Sequence, residues 1–141
     1  MPWSGGDARA CSWRLLTELR TMQDLTLVLG ASLNPSRYAH LAVLRLRSMG
    51  IPVLAVGVRT GTIGDVVIQQ GLPTDRLIDT VTLYLNPVVQ EQWHERVLDL
   101  RPRRIIFNPG TEHPSFAQRA KDLGIEVVEG CTLVMLATGQ Y

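Results

Sequence analysis

The sequence has little that would suit a metal-bound, membrane-bound or nucleic-acid-bound protein. It has two cysteines, Cys11 and Cys131, without a C-x-x-C pair or a cluster of histidines, which excludes a structural zinc site and fits a reducing cytoplasm. Its 14 basic and 13 acidic residues nearly balance, so they give no field that attracts a polyanion. Its longest apolar runs are strand-sized, and the N-terminus lacks a secretion-signal pattern. We therefore expect a cytoplasmic protein with no metal and no nucleic-acid or membrane partner.

Familiar catalytic motifs are also missing. The sequence contains neither a G-x-S-x-G nucleophile motif nor a G-x-x-x-x-G-K phosphate loop, and Glu112 and Glu129 are carboxylates without an evident partner. No catalytic residue is predicted from it. We expect a binding protein without catalysis of its own.

The length and the composition predict one globular domain after a short extension. The 141 residues are 45% hydrophobic and 19% charged, as in an ordinary folded protein. Residues 1–24 are predicted to be an N-terminal extension with a short amphipathic helix from Trp13 to Met22. Residues 25–141 are predicted to form a single domain.

The stretch LTLVLGASLNPSRY, residues 25–38, predicts a strand, a glycine turn at Gly30 and a helix start. Asn34 or Ser36 would cap that helix, Pro35 suits its first position, and Gly50 would end it. This order brings free backbone N–H groups and the positive end of a helix dipole together. It predicts an anion-binding site.

The rest of the chain continues the alternation of strands and helices. Further strands are predicted at 51–58, 66–68, 79–85, 104–107 and 125–128, and helices at 86–101, 114–123 and 131–137. Such alternation requires crossover connections and therefore a mainly parallel sheet. We predict a Rossmann-like α/β fold, doubly wound, with five or six strands in three layers.

Asn-Pro occurs three times, at residues 34–35, 86–87 and 108–109, each time after a predicted strand. In a parallel sheet all three pairs would lie along the carboxyl edge, where ligands of open α/β sheets bind. Gly30, Gly57 and Gly110 would lie at the same edge. This convergence predicts a site for a nucleotide-type small molecule.

The loops narrow the ligand to two coenzymes. The first loop reads G-A-S-L-N-P, without the second and third glycines of the dinucleotide fingerprint. After the second predicted strand, Arg59 stands where NAD sites want a carboxylate. A guanidinium suits a phosphorylated ribose. Coenzyme A and NADP both fit these residues.

Four segments together, GASLNPSRY, TLYLNP, RRIIFNPGTEHP and VVEGCTLVMLATGQY, resemble the CoA-binding domain family of small Rossmann-like proteins. That family is related to the N-terminal domain of the succinyl-CoA synthetase α subunit. The resemblance covers about residues 25–141 and implies coenzyme A along the carboxyl edge of the sheet. We expect a module that binds coenzyme A or an acyl-CoA, as a carrier, a sensor or an accessory subunit. The segment VGVRTG departs from the family pattern at the adenosine end.

The resemblance implies a role for each loop. The first loop and Arg37 would meet the pyrophosphate, Gly57 and Arg59 would lie near the adenosine, and the later Asn-Pro pairs would line the remaining wall. The predicted cofactor-binding residues are Gly30, Ala31, Ser32, Asn34, Arg37, Gly57, Arg59, Asn86, Pro87, Asn108, Pro109 and Gly110.

Alternatives remain open at this point. The domain could be an NADP-dependent oxidoreductase, a subunit of a CoA-ligase-type enzyme completed by another chain, or a partner surface with a vestigial site. A homodimer or a partner subunit is compatible with each. His113 could be a base or only a polar residue at a helix start, and Cys131 a reactive thiol or only a small buried residue.

Overall fold

The structure is a computed structural model that describes residues 25–141, and strands and helices alternate through them. The predicted helix at 13–22 lies outside the described residues. The strands are β1 (Thr26–Leu29), β2 (Val53–Val56), β3 (Gly61–Ile63), β4 (Val66–Gln69), β5 (Thr80–Leu83), β6 (Arg104–Phe107) and β7 (Glu126–Glu129). The helices are α1 (Tyr38–Ser48), α2 (Pro87–Gln90), α3 (His94–Asp99), α4 (Pro114–Asp122) and α5 (Thr132–Ala137), and a 3-10 turn (Glu91–Trp93) joins α2 to α3.

The strands form one seven-stranded sheet in the order β3-β4-β2-β1-β5-β6-β7. Every neighbouring pair is parallel except β3 and β4. The central strands β1, β5 and β6 are buried along their whole length, as is typical of parallel strands with helices on both faces of the sheet. The prediction of a doubly wound, mainly parallel sheet is confirmed.

The strand count is slightly larger than the predicted five or six. The additional strand, β3, pairs antiparallel with β4 through a two-residue turn at Gly64 and Asp65. Gly64 has a φ of +60°, which suits such a turn. The glycines of this region predict turns, so the short edge strand was missed.

Helices cover both faces of the sheet and make the three predicted layers. On one face, α1 packs against α5, and Val43 of α1 shares a buried cluster with Leu136 of α5. On the other face, α3 and α4 contribute Val97 and Phe116 to the larger cluster. The sheet between them is therefore shielded from water, and its ligand-accessible parts are its edges.

Helix α1 begins later than predicted. Neither Asn34 nor Ser36 caps it, and Arg37 occupies the N-cap position without a side-chain hydrogen bond to the helix. Asn34 Oδ1 instead accepts hydrogen bonds from the backbone N–H and the hydroxyl of Ser36. This turn displaces the helix start to Tyr38.

Candidate functional site

A cavity of about 760 Å³ lies at the carboxyl ends of β2, β1, β5 and β6. These four strands are neighbours in the sheet, so the loops that follow them form one continuous rim. The rim carries loop residues from β1 and β2, the first turn of α1, and the start of α2 with the 3-10 turn. Its lining comprises Leu29, Gly30, Ala31, Ser32, Leu33, Asn34, Arg37, Tyr38, Ala39, Val56, Gly57, Val58, Arg59, Tyr84, Leu85, Val89, Gln92, Trp93, Pro109 and Thr111.

Some backbone N–H groups of the loop after β1 are free of backbone hydrogen bonds, and others are not. The N–H groups of Gly30 and Ala31 both donate to the carbonyl oxygen of Val56, at 2.8 and 2.9 Å. Within residues 25–141, the N–H groups of Ser32 and Leu33 and those of the first turn of α1 have no backbone acceptor. These N–H groups are therefore available as hydrogen-bond donors.

Glycine is required where the loops after β1 and β2 meet. A Cβ atom on Gly57 would lie 2.2 Å from the carbonyl oxygen of Ala31. Gly30 has a φ of +101°, and a Cβ atom there would lie 3.0 Å from the backbone of Tyr84. The two glycines therefore allow three loops to close together under the cavity.

The charge of the lining is one-sided. Arg37 and Arg59 both line the cavity and are exposed, and neither has an ion-pair partner among the described residues. No aspartate, glutamate, lysine, histidine or cysteine of the described residues lines it. Two unpaired guanidinium groups favour a ligand that carries negative charge.

The three Asn-Pro pairs follow β1, β5 and β6, which are adjacent parallel strands, so they lie along one edge. Their asparagines have different roles. Asn34 forms the turn before α1, and Asn86 caps α2 by accepting a hydrogen bond from the backbone N–H of Val89. Asn108 is buried, and its side chain bonds to other parts of the fold.

Asn108 joins β5, β6 and α5. Its amide nitrogen donates to the Thr82 hydroxyl at 2.7 Å and to the Leu83 carbonyl at 2.9 Å. Its amide oxygen accepts from the backbone N–H of Thr132 at 2.8 Å. With three partners and 3% exposure, this side chain holds the loop in place.

The structure brings eight of the twelve predicted site residues to the cavity and leaves four out of its lining. The eight are Gly30, Ala31, Ser32, Asn34, Arg37, Gly57, Arg59 and Pro109. The four are Asn86, Pro87, Asn108 and Gly110, which follow β5 and β6 along the same edge but do not line the cavity. Their contact with a ligand stays a prediction, as does that of the eight.

The apolar residues of the cavity are not among the site residues predicted from the sequence. Leu85 follows β5, and Val89 and Trp93 lie four residues apart, on one side of the helical segment that follows Asn86. Both features were readable from the sequence. Spacing of i and i+4 places two side chains together, and Leu85 belongs to the TLYLNP segment.

Tyr84 also lines the cavity and has an unusual hydroxyl group. The hydroxyl oxygen is buried without a hydrogen-bond partner in the described part of the chain. Burial raises the pKa of Tyr84 to about 12, so the phenol is neutral at physiological pH. Tyr84 therefore adds no charge to the cavity lining.

A buried polar group supports the cavity from behind. The Gln90 side chain is fully buried, and its amide nitrogen donates to the carbonyl oxygens of Leu85 and Thr111, at 3.1 and 2.9 Å. Its amide oxygen lies 3.0 Å from Nε2 of His94. Because both amide hydrogens of Gln90 are used, its oxygen is the acceptor and His94 Nε2 is the donor.

His94 is held in its neutral form. Its ring stacks on Phe116 with centroids 3.7 Å apart, and the ring of His113 meets it edge-on at 4.5 Å. Burial first, and then the nearby His113, lower the pKa of His94 to about 4. The neutral ring donates to Gln90 across the physiological range.

His113 and Cys131 lie away from the cavity lining. His113 caps α4, since its Nδ1 accepts from the backbone N–H of Phe116 while Nε2 lies 2.9 Å from Glu91. Cys131 is a partly buried free thiol at the N-cap of α5. His113 therefore acts as a helix cap, and neither His113 nor Cys131 lines the cavity.

Neither a metal-binding cluster nor a membrane-spanning helix is present in residues 25–141. No group of three or more histidine, cysteine, aspartate or glutamate side chains there is arranged to hold a metal ion. In the same part of the chain, none of the helices has the length and apolar character needed to span a bilayer.

The parallel sheet, its order and the cavity at its carboxyl edge define a Rossmann-like α/β protein. The chain belongs to the CoA-binding domain family, since the family model described as "CoA binding domain" matches residues 25–137. Membership of this family supports coenzyme A binding in general. The resemblance read from the four sequence segments is thereby confirmed.

Solved structures agree with the fold. One described as an uncharacterized protein is 43% identical over 84% of this chain and 98% of its own, with a TM-score of 0.81. A protein from Thermus thermophilus is 28% identical over 89% of this chain and 98% of its own, with a TM-score of 0.75. A hypothetical protein from Pyrococcus horikoshii, 20% identical over 86% of this chain and 89% of its own, has a TM-score of 0.73 and shows the fold alone. No curated protein matches the chain.

Proposed function

We propose that this protein binds coenzyme A in the cavity at the carboxyl edge of its sheet and does so without catalysing a reaction itself. The observation that carries the proposal is the charge of the lining, which combines two unpaired arginines with no carboxylate. Coenzyme A carries a diphosphate and a ribose phosphate at one end, and guanidinium groups bind phosphate with two hydrogen bonds.

The backbone supplies the remaining anion contacts. The N–H groups of Ser32 and Leu33 and the first turn of α1 would hold the diphosphate beside Arg37, where the dipole of an 11-residue helix adds to the attraction. Arg59, in the loop after β2, would hold the ribose phosphate. The cavity volume suits a ligand of this size.

The lining supports binding rather than catalysis. Its hydroxyl groups are those of Ser32, Tyr38, Tyr84 and Thr111, and no lining residue is a base that could activate one of them. The Tyr84 hydroxyl is buried with a raised pKa, and the Thr111 hydroxyl donates to the Asn108 carbonyl. The proposed role is that of a coenzyme A carrier, sensor or accessory subunit, as a homodimer or with a partner chain.

Titration calorimetry with coenzyme A, dephospho-coenzyme A, NADP and NAD tests the ligand. We expect coenzyme A to bind most tightly and loss of its 3′-phosphate to cost about tenfold in affinity, as for one charged hydrogen-bonding contact. NADP binding more tightly would favour the oxidoreductase alternative. Lack of binding by all four compounds would contradict the proposal.

Arginine variants test which phosphate group of coenzyme A each arginine contacts. Arg59→Gln should lower the affinity for coenzyme A about tenfold but leave that for dephospho-coenzyme A nearly unchanged, because the missing contact is the 3′-phosphate. Arg37→Gln should weaken both ligands. Arg76→Gln is the matched control, since Arg76 is an exposed loop arginine outside the cavity lining. An equal loss in all three variants would indicate nonspecific attraction.

A further inference from the structure

The cavity is divided into two chemically different ends. Its arginines follow β1 and β2, whereas the lining from β5 and β6 carries no charged side chain. At this second end the lining is formed by Leu85, Val89, Trp93 and Pro109, with Gln92 and Thr111 beside them. We call these six residues the apolar end of the cavity.

This separation sets the direction of the ligand. All phosphate groups of coenzyme A lie in its nucleotide half, so they go to the arginine end. The arm that ends in the thiol, or in a thioester, then extends toward β5 and β6. Because neighbouring strands are about 4.8 Å apart, the step from β1 to β6 is about 10 Å along the edge.

We propose that the apolar end binds the acyl group of an aliphatic thioester of coenzyme A, in preference to the free thiol or to an acyl group that ends in a carboxylate. The proposal rests on the proposed function. Val89 is 41% exposed, and Trp93 is half-buried beside it. An acyl chain would cover this apolar surface and remove it from water.

Contacts with neighbouring residues support the walls of the apolar end. Arg96 stacks over the Trp93 ring at 4.4 Å and donates to the Gln92 carbonyl, which holds the indole in place. Gln90 fixes Leu85 and Thr111 through their carbonyl oxygens. An apolar wall discriminates by buried methylene groups, whereas a carboxylate there would lose its water and meet no charged group among the six residues that form the wall.

Affinities for coenzyme A and for its acetyl, butyryl and succinyl thioesters, measured by calorimetry, test the inference. Each fully buried methylene group is worth about fourfold in affinity, so butyryl-CoA should bind up to about fifteenfold more tightly than acetyl-CoA. Succinyl-CoA should bind at least about tenfold more weakly than butyryl-CoA. Coenzyme A binding with all four affinities within about twofold would overturn this inference and leave the proposed function standing. Lack of binding by all four would remove both.

Two variants at neighbouring positions test whether the preference for butyryl-CoA over acetyl-CoA arises at the apolar end. Val89→Asp puts a charge into the apolar end, so the ratio of butyryl-CoA to acetyl-CoA affinity should fall to about one. Val88→Asp is the matched control, because Val88 is 77% exposed and lies outside the lining, and its ratio should equal that of the unchanged protein. Both aspartates stand in the first turn of α2, where a carboxylate suits the helix dipole, so folding is retained. Ratios that change equally in both variants would overturn the inference.

Discussion

Gly57 and Ala31 approach each other so closely that a Cβ atom on Gly57 would lie 2.2 Å from the carbonyl oxygen of Ala31. The loops after β2 and β1 are therefore in direct contact. The Gly30 and Ala31 N–H groups, which share the Val56 carbonyl, tie them together again. Any change that separates these loops alters the part of the cavity that carries both arginines.

We therefore expect Gly57→Ala to lower the free energy of unfolding by about 1–3 kcal/mol, because the added methyl group meets backbone atoms that cannot turn away. Affinity for coenzyme A should fall as well. Urea denaturation and calorimetry measure the two effects. Gly71→Ala is the control, since nothing lies within 4 Å of a Cβ atom there, and its stability should change by less than about 0.5 kcal/mol. Equal denaturation midpoints for both variants would contradict the steric argument.

His94 makes stability depend on pH. Its pKa is about 4 in the folded protein against 6.5 for an unperturbed histidine. Between these values the unfolded chain binds more protons than the folded one, so stability is full above pH 6.5 and falls as the pH is lowered toward 4. We expect this histidine to account for a loss on the order of 2–3 kcal/mol over that range.

Two variants that do not titrate isolate this contribution, His94→Gln and His94→Phe. Each should be less stable than the unchanged protein at pH 7, but the difference should shrink by about 2 kcal/mol by pH 4. His94→Phe keeps the stacking on Phe116, so it separates titration from packing. Denaturation curves that stay parallel from pH 7 to pH 4 would show that His94 does not titrate in this way.

Gln90 should matter for stability although it lies outside the lining. Gln90→Met keeps the volume but leaves the carbonyl oxygens of Leu85 and Thr111 without their donor, so we expect a loss of about 2–4 kcal/mol by urea denaturation. Gln118→Met is the matched control, because Gln118 is exposed on α4 and bonds only to Asp122 at the surface. Similar small losses in both variants would mean that the buried bonds contribute little.

Most of the fold is readable from the sequence because its strands are buried on both faces. The segment Arg104–Phe107 was predicted with the bounds that β6 has, and the helix after it begins at the predicted Pro114. β3 was missed, because its pairing with β4 outweighs the turn tendency of Gly61. The local sequence pattern therefore predicts the elements that contribute to the core. It does not predict an edge strand that forms only through its pairing with β4.

The site is readable only in part. Three Asn-Pro pairs after strands indicate the edge, because a common strand direction is enough to bring them there. Which side chains face a ligand depends on partners distant in sequence. Asn108 bonds to Thr82 and Thr132, 26 and 24 residues away, and neither bond has a local signature. The same Asn-Pro pair therefore occurs three times in the sequence, but its asparagine has a different structural role each time.

The three asparagines allow a test of that difference within one chain. Asn108→Ala leaves the Thr132 N–H without its acceptor in a buried position, so we expect a loss of about 3 kcal/mol in the free energy of unfolding. Asn86→Ala removes only a helix cap and should cost about 1 kcal/mol. Asn34→Ala opens an exposed turn and should cost about 0.5 kcal/mol or less.

Urea denaturation of the three variants under one set of conditions ranks their losses in the free energy of unfolding. Since all three carry the same substitution before a proline, differences in the unfolded chain largely cancel. Losses of similar size would mean that the asparagines act alike, as simple turn formers, and that the bonds of Asn108 to three elements add little. A loss that is largest for Asn108 would instead make it the residue that holds the β5–β6 side of the cavity together, since no water can replace its partners there.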